Sequence, residues 1–290
     1  MAGRRLVFLG TPEMAVPPLR ALHAADHDIA LVVTRPDRRR GRGSELSPSP
    51  VKAAAVELGI PVSEVVDDVL TAGAELGVVV AFGRILKPHV LAALPMINVH
   101  FSLLPRWRGA APVERALLAG DAVTGVCIMD VEEGLDTGAV YASEEVPIGP
   151  RVTLEELRAQ LVDVGTRLLV DVLDGPLPAP VPQQGEATYA RKVDAAEWEL
   201  DWTRPAEALD RWVRAGHAWT TFRGKRLRVL AAEPAVAERG DGPGSLDGDI
   251  AVAGEGALRL VTVQPEGRAA MAWRDFANGA RPGDGERLGS

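Results

Sequence analysis

The sequence is poor in the residues that form cross-links, metal sites and membrane spans. Its single cysteine, Cys127, excludes an intramolecular disulfide and every zinc motif built from several cysteines. The five histidines show no spacing typical of metal ligands, so we expect no metal. The longest apolar runs, such as Gly77 to Phe82, fall far short of the roughly 20 residues that a transmembrane helix needs. The apolar patch after Arg5 is also too short for a secretory signal, and we expect a cytoplasmic protein.

The chain also lacks the overall positive charge of a protein whose whole surface is adapted to nucleic acid. Its formal net charge is −8 at pH 7. One segment departs from this balance, because five arginines fall within residues 35–42 and are opposed there only by Asp37: Arg35, Arg38, Arg39, Arg40 and Arg42. Residues 223–228 form a second basic cluster. Charge alone favours a solvated loop and a charged strand edge over a binding surface.

The length and composition favour two globular domains. The chain has 290 residues, of which 47% are apolar and 25% are charged. In the first part, short apolar runs predict strands at Leu6–Gly10, Ile29–Thr34, Val78–Ala81 and Ile97–Phe101, with helical patterns between them. Strands that alternate with helices predict an α/β fold with a Rossmann-like, mostly parallel sheet, which binds ligands at the carboxyl ends of its strands.

The second part of the chain has a different pattern. Prolines alternate through residues 176–182, which predicts an extended linker that continues to Thr203. A helical stretch and several short strands with glycine-rich turns follow, and they predict an OB-like β-barrel. We therefore expect a catalytic domain over residues 1–181, a linker over 182–203 and a C-terminal β-barrel domain over 204–290.

The most informative feature is a pair of polar residues in a predicted strand. Side chains alternate along a strand, so Asn98 and His100 share one face, while Ile97, Val99 and Phe101 take the other. A hydrophobic core is normally packed with apolar side chains, so an amide and an imidazole side by side suggest a different role. At the end of a strand, the two can stabilise and protonate a developing oxyanion.

Asp136 is a further candidate, because it lies in the glycine-hinged turn 132–138. The tripeptide Asp136-Thr137-Gly138 also occurs in aspartic proteases, but no second copy exists and the surrounding pattern is α/β. A dinucleotide site is likewise disfavoured, because the turn at residues 10–13 lacks the G-x-G-x-x-G spacing.

Taken together, these segments resemble the formyltransferases that use 10-formyltetrahydrofolate. The resemblance is carried by the run Ile97–Pro112, followed by Thr124-Gly125-Val126 and by residues 134–138. It extends to Gly10-Thr11-Pro12 and to the basic segment 34–52, and later to residues 263–267 and 285–288. Within the family, the chain is most similar to the members that formylate methionyl initiator tRNA.

The resemblance implies a set of functional residues. The family's catalytic Asn, His and Asp fall on Asn98, His100 and Asp136. Its folate-contacting loop falls on Ser102, Leu103, Leu104 and Pro105, and Arg42 is expected to bind the acceptor end of the tRNA. The implied co-substrate is 10-formyltetrahydrofolate without a metal, and the implied partner is aminoacylated initiator tRNA, held in part by the C-terminal barrel. We expect a monomer.

The chemistry of formyl transfer suggests roles for the three catalytic candidates. The Asn98 amide would donate to the formyl oxygen, and His100 would assist there and shuttle a proton to the departing folate nitrogen. Asp136 would fix the imidazole tautomer, directly or through water. The alternatives are formylation of a nucleotide-linked amino sugar or another small amine, and RNA binding without chemistry.

The chain departs from the family pattern at three places. Phe101 replaces a common glycine, Ser44-Glu45 replaces a frequent lysine pair, and residues 214–220 form a shorter segment than usual. We expect Phe101 to act mainly on packing and Ser44-Glu45 to weaken the positive field of the basic loop.

Overall fold

The computed structural model describes residues 3–39, 46–237, 241–283 and 285–290. The strands are β1 Arg5–Gly10, β2 Asp28–Val33, β3 Arg38–Arg39, β4 Leu46–Ser47, β5 Val62–Ser63, β6 Leu76–Val80, β7 Met96–His100, β8 Val123–Asp130, β9 Val140–Pro147, β10 Trp219–Phe222, β11 Lys225–Ala235, β12 Leu246–Asp247, β13 Ile250–Val252, β14 Ala257–Pro265 and β15 Met271–Ala272. The α-helices are α1 Val16–Ala24, α2 Pro50–Glu57, α3 Pro88–Ala93, α4 Pro112–Ala119, α5 Leu154–Leu173, α6 Ala206–Arg214 and α7 Trp273–Ala280.

These elements form two compact units. The first comprises Met1–Val113, Val123–Pro147 and Leu157–Arg191. The second comprises Glu114–Ala122, Ile148–Glu156 and Lys192–Ser290. Residues 182–191 of the predicted linker thus pack with the first unit, while the predicted domain boundaries themselves stay predictions.

A seven-stranded sheet forms the centre of the first unit, in the order β5-β2-β1-β6-β7-β8-β9. The pairs from β5 to β7 are parallel, whereas the pairs β7–β8 and β8–β9 are antiparallel. Strand β1 is a continuous apolar run whose residues Leu6–Leu9 are fully buried, as is typical of a sheet covered on both faces. The predicted Rossmann-like, mostly parallel sheet is confirmed.

Local capping defines where two helices begin. The Ser49 hydroxyl accepts a hydrogen bond from the Lys52 backbone N–H at 3.0 Å and caps α2, whose first residue is Pro50. Before α5, the Thr153 backbone donates to Glu156 and the Glu156 backbone donates to the Thr153 hydroxyl. This is the capping box that the sequence predicts at Thr153.

The unusual Phe101 is accommodated by a glycine of α5. The Phe101 side chain is buried next to the end of β7. A Cβ atom built on Gly165 would lie 3.4 Å from Phe101 Cε1 and only 3.1 Å from Val99 Cγ1. The helix can pack this closely on the strand because residue 165 has no side chain, so Phe101 acts on packing, as expected.

An antiparallel sheet forms the centre of the second unit, in the order β10-β11-β14-β13-β12, with β15 paired to β14. The last residues of the chain link the two edges of this sheet, because Leu288 bridges Phe222 and Arg287 bridges Ser245. This arrangement confirms the predicted C-terminal β domain, and the two bridges join its edges as a barrel requires. Among the described residues, no helix is both long enough and apolar enough to span a bilayer.

Candidate active site

The structure brings Asn98, His100 and Asp136 to the carboxyl end of β7. Asn98 is half-buried, and it pairs with Val79 of β6 and with Met129 of β8. Two positions further on, His100 is the last residue of the strand. The two side chains therefore emerge on the same face, as the alternation along the strand predicts.

The His100 imidazole is buried and held by a backbone carbonyl. Its Nε2 atom lies 3.0 Å from the Trp107 carbonyl oxygen. A carbonyl can only accept a hydrogen bond, so Nε2 carries the proton and Nδ1 of the neutral ring is left with its lone pair. Ser102 stabilises the same turn, because its hydroxyl donates to the Arg106 carbonyl at 2.6 Å.

Asp136 faces the other nitrogen of the ring. Its Oδ2 atom lies 3.7 Å from His100 Nδ1, which is too long for a direct hydrogen bond but close enough to attract the ring when it is protonated. The same oxygen accepts a hydrogen bond from the Gly109 backbone N–H at 2.6 Å. The Trp107 carbonyl therefore sets the tautomer, and the Asp136 carboxylate is placed to stabilise a charged ring.

Burial determines the resting charge of the imidazole. Removal from water lowers the pKa of His100 below its ordinary value, while the Asp136 carboxylate and the hydrogen bond to Trp107 act in the opposite direction. Burial is the largest of these effects, so the ring is neutral at pH 7 and Nδ1 can accept a proton.

The segment after the alternating prolines supports the loop that carries Trp107. The Trp107 backbone N–H donates to the Thr188 hydroxyl at 2.9 Å. The Arg108 N–H donates to the Thr188 carbonyl at 2.9 Å, and the Ala190 N–H donates to the Arg108 carbonyl at 2.7 Å. Sequence reasoning treats this stretch as linker and misses its contribution.

Gln183, in the same stretch, also contacts the site, and the sequence analysis did not select it. Its side-chain nitrogen donates to the carbonyls of Asp136 and Gly138, each at 2.8 Å. Its side-chain oxygen accepts from the Arg108 guanidinium at 2.6 and 3.1 Å. No spacing in the sequence relates position 183 to position 136, so only the tertiary structure reveals the contact.

The predicted folate loop begins at the end of β7. Ser102 is fully buried, whereas Leu103, Leu104 and Pro105 are half-buried and form an apolar rim beside His100. The Leu104 N–H lies 3.5 Å from Cys127 Sγ, and burial raises the pKa of the Cys127 thiol to about 11. The thiol is therefore protonated at pH 7, which fits the prediction of a small buried hydrophobic residue.

The remaining predicted features lie elsewhere. Arg42, Ser44 and Glu45 fall outside the described residues. The shortened segment 214–220 covers the last residue of α6, the turn that follows and the start of β10, and the Gly216 carbonyl in this turn accepts a hydrogen bond from Arg228. Within the part of the chain that the structure describes, no cluster of three or more His, Cys, Asp or Glu residues could hold a metal ion.

These contacts define the chemistry available at the end of β7. A carboxamide donor can polarise a carbonyl group, and a neutral imidazole backed by a carboxylate can take a proton. The thiol beside them is protonated and buried. The arrangement suits transfer of an acyl group between two nitrogen atoms, with both nucleophile and leaving group supplied by the substrates.

Comparison with known families agrees with this chemistry. A family model described as formyl transferase matches residues 4–173. A second model, described as the C-terminal domain of formyl transferase, matches residues 192–281.

Two relatives align with nearly the whole chain. A methionyl-tRNA formyltransferase of Acidiphilium cryptum is 46% identical, over 98% of this chain and all of the relative. The methionyl-tRNA formyltransferase of Roseobacter denitrificans is 45% identical over 97% of each chain. Among solved structures, HypX from Aquifex aeolicus in complex with tetrahydrofolic acid superposes with a TM-score of 0.66 at 16% identity, over 98% of this chain and 49% of HypX. That likeness concerns the fold.

Proposed function

The chain belongs to the formyltransferase family, and we propose that it transfers the formyl group of 10-formyltetrahydrofolate to the free α-amino group of methionyl initiator tRNA. The main support is the full-length similarity to methionyl-tRNA formyltransferases at 42–46% identity. Formylation of a nucleotide-linked amino sugar receives weaker support, since the N-formyltransferase from Helicobacter canadensis, solved in complex with dTDP-3-aminofucose, is only 15% identical. We also propose a cytoplasmic location, which is consistent with these substrates.

The acceptor is itself the nucleophile in this reaction. An α-amine has a pKa near 7.7 to 8.0 in model compounds, so a useful fraction is neutral at pH 7. Its nitrogen attacks the formyl carbon, a tetrahedral intermediate forms, and the bond to the folate nitrogen breaks. The amine loses one proton and the folate nitrogen gains one. The protein has to orient the reactants, stabilise the negative charge and move this proton.

Asn98 is assigned to the negative charge. The side chain is half-buried in β7, two positions before the last residue of the strand, and it makes no hydrogen bond to any of the described residues. Both of its N–H groups are therefore available to a ligand. We assign one of them to the formyl oxygen, where negative charge grows during attack.

His100 is assigned to the proton. Nε2 is hydrogen-bonded to the Trp107 carbonyl, and the lone pair of the other ring nitrogen, Nδ1, faces Asp136. When Nδ1 takes the proton of the attacking amine, the ring becomes a cation that lies between the Trp107 carbonyl and the Asp136 carboxylate. Both groups favour this charged form, and the proton then passes to the departing folate nitrogen.

The two substrates are assigned to different parts of the chain. The half-buried loop Leu103–Pro105 offers an apolar surface on which the folate can pack, with Ser102 holding the turn beneath it. For the tRNA, the assignments are Arg42 at the acceptor end and the barrel domain over residues 204–290. The predicted catalytic domain, residues 1–181, carries the chemistry, and the enzyme acts as a monomer.

A labelled-formyl assay tests the proposal. The purified protein, incubated with labelled 10-formyltetrahydrofolate, should transfer label to methionyl initiator tRNA and not to the uncharged tRNA or to a nucleotide-linked amino sugar. Transfer to the amino sugar alone would replace the proposal with the second candidate. Binding of tRNA without any transfer would show an RNA-binding protein without this chemistry.

A further inference from the structure

The Gln183 carboxamide joins the two loops that converge on His100. It makes four hydrogen bonds, two as donor to the Asp136 and Gly138 carbonyls and two as acceptor from Arg108. Its orientation is fixed by chemistry, because a guanidinium only donates and a carbonyl only accepts. The side chain therefore has all its strong hydrogen-bonding positions satisfied in one arrangement.

Asp136 needs such support from its backbone. The residue has a φ of 51°, in the left-handed region that residues other than glycine rarely adopt. Its carboxylate is 3.7 Å from His100 Nδ1, so no hydrogen bond to the ring fixes its position. The position depends instead on the Gly109 N–H and on whatever holds the backbone of the turn.

Gln183 acts on both of these supports. It binds the Asp136 carbonyl directly, and through Arg108 it holds the residue immediately before Gly109. The loop containing Asp136 and the loop containing Gly109 are thereby fixed relative to each other. Loss of this cross-link would let the Asp136 carboxylate move away from the His100 imidazole.

We propose that Gln183 is a positioning residue for formyl transfer, which holds the Asp136 carboxylate against His100 by cross-linking the turn at 136–138 to the loop at 108–109. The inference rests on the proposed function. In the proposed mechanism, Gln183 does not touch the reacting atoms. It acts through Asp136, which predicts a defect in the chemical step and not in substrate binding.

Two substitutions separate the two ends of the carboxamide. Gln183→Leu removes all four hydrogen bonds. Gln183→Glu keeps the shape and the pairing with Arg108 but places a carboxylate oxygen against the Asp136 and Gly138 carbonyls. Both variants should lower kcat by about tenfold to a hundredfold, as a misplaced catalytic group does, while KM for each substrate stays within about twofold. The exposed neighbour provides the control, because Gln184→Leu should behave as the unsubstituted enzyme.

A double-mutant cycle tests whether Gln183 acts through Asp136. In an Asp136→Ala background, adding Gln183→Leu should change kcat by less than about twofold, because the group to be positioned is already absent. Circular dichroism at the assay temperature confirms that each variant is folded. Multiplicative losses in the double variant, or normal kcat in Gln183→Glu, would overturn the inference.

The outcomes distinguish this inference from the function on which it rests. Absence of formyl transfer by the unsubstituted protein, with any acceptor, refutes the proposed function before any variant is compared. Normal transfer by the unsubstituted protein and by Gln183→Leu refutes only the role of Gln183. Loss of kcat in the Leu and Glu variants together with a non-additive cycle supports both.

Discussion

At the scale of single residues, the site contains some polar groups that are hydrogen-bonded within the protein and others that are unpaired among the described residues. His100 Nε2 is occupied by the Trp107 carbonyl, which leaves Nδ1 to receive a proton. The Asn98 side chain makes no hydrogen bond within the described part of the chain, so its amide is open to substrate. The occupied positions fix the geometry, and the open positions are assigned to the chemistry.

Replacing Asn98 with alanine tests the oxyanion role. Loss of an oxyanion donor typically lowers kcat by about a hundredfold to a thousandfold, and we expect that range for Asn98→Ala, with little change in KM. Steady-state formylation of methionyl-tRNA measures the effect. The exposed Asn278 of α7 supplies a control, because Asn278→Ala should retain full turnover. Near-normal kcat in Asn98→Ala would refute the assignment.

The charge state of His100 can be measured directly. Burial lowers the pKa of His100, and Asp136 partly offsets this effect. An NMR titration of the imidazole should therefore give a midpoint below 6.5, the usual value for histidine. In Asp136→Asn the offsetting charge is lost, so the midpoint should fall further. A midpoint that rises in this variant would contradict the proposed stabilisation of the imidazolium.

At the scale of secondary structure elements, close approach of two backbone segments fixes the position of the loop at residues 102–105, to which we assign folate binding. A Cβ atom on Gly125 of β8 would lie 2.5 Å from Leu103 Cδ2 and 2.2 Å from the Glu144 carbonyl oxygen of β9. Real Cβ atoms do not approach other atoms so closely, so only glycine allows Leu103 to lie against the strand at this point. The loop keeps its place beside His100 because β8 lacks a side chain there.

Gly125→Ala is expected to displace the loop. The added methyl group would push Leu103 outward, which should raise KM for 10-formyltetrahydrofolate and lower the free energy of unfolding by about 1 to 3 kcal/mol. Folate titration and chemical denaturation measure the two effects. Gly149→Ala is the matched control, because its Cβ would meet Val152 only at an ordinary 4.0 Å. Unchanged KM and stability in Gly125→Ala would show that the loop tolerates the displacement.

At the scale of the whole molecule, the protein carries a net negative charge, and its proposed tRNA substrate is also negatively charged. The net charge of −8 repels a polyanion on average. The basic segment 35–42 is the part of the first unit whose local charge favours contact with phosphates. We therefore expect productive binding of tRNA to depend on a small number of arginines.

Arg42→Leu tests this dependence. One fewer phosphate contact should raise KM for the tRNA and reduce the slope of log binding constant against log salt by about 1, with folate binding unchanged. Filter binding at several salt concentrations and steady-state kinetics provide these values. Arg20→Leu on α1 serves as control, since Arg20 pairs with Glu57 of α2. Equal effects of the two substitutions would refute a specific role for Arg42.

The sequence by itself determined the class of fold and the family, and it selected the three side chains to which we assign the chemistry. Side chains alternate between the two faces of a strand with a period of two residues, which is a property of the backbone. Asn98 and His100 therefore lie on one face regardless of the tertiary structure. The capping box at Thr153 follows equally from local hydrogen bonding.

Only the tertiary structure decided what surrounds those side chains. The Trp107 carbonyl sets the tautomer of His100, and Gln183 holds Asp136 although 47 residues separate them in the chain. Sequence patterns report local conformation, whereas these contacts arise where distant segments pack together. The alternating prolines predict a linker that includes Thr188 and Ala190. In the structure, these residues form hydrogen bonds with Trp107 and Arg108 and so support the site. No periodicity in the sequence indicates these contacts.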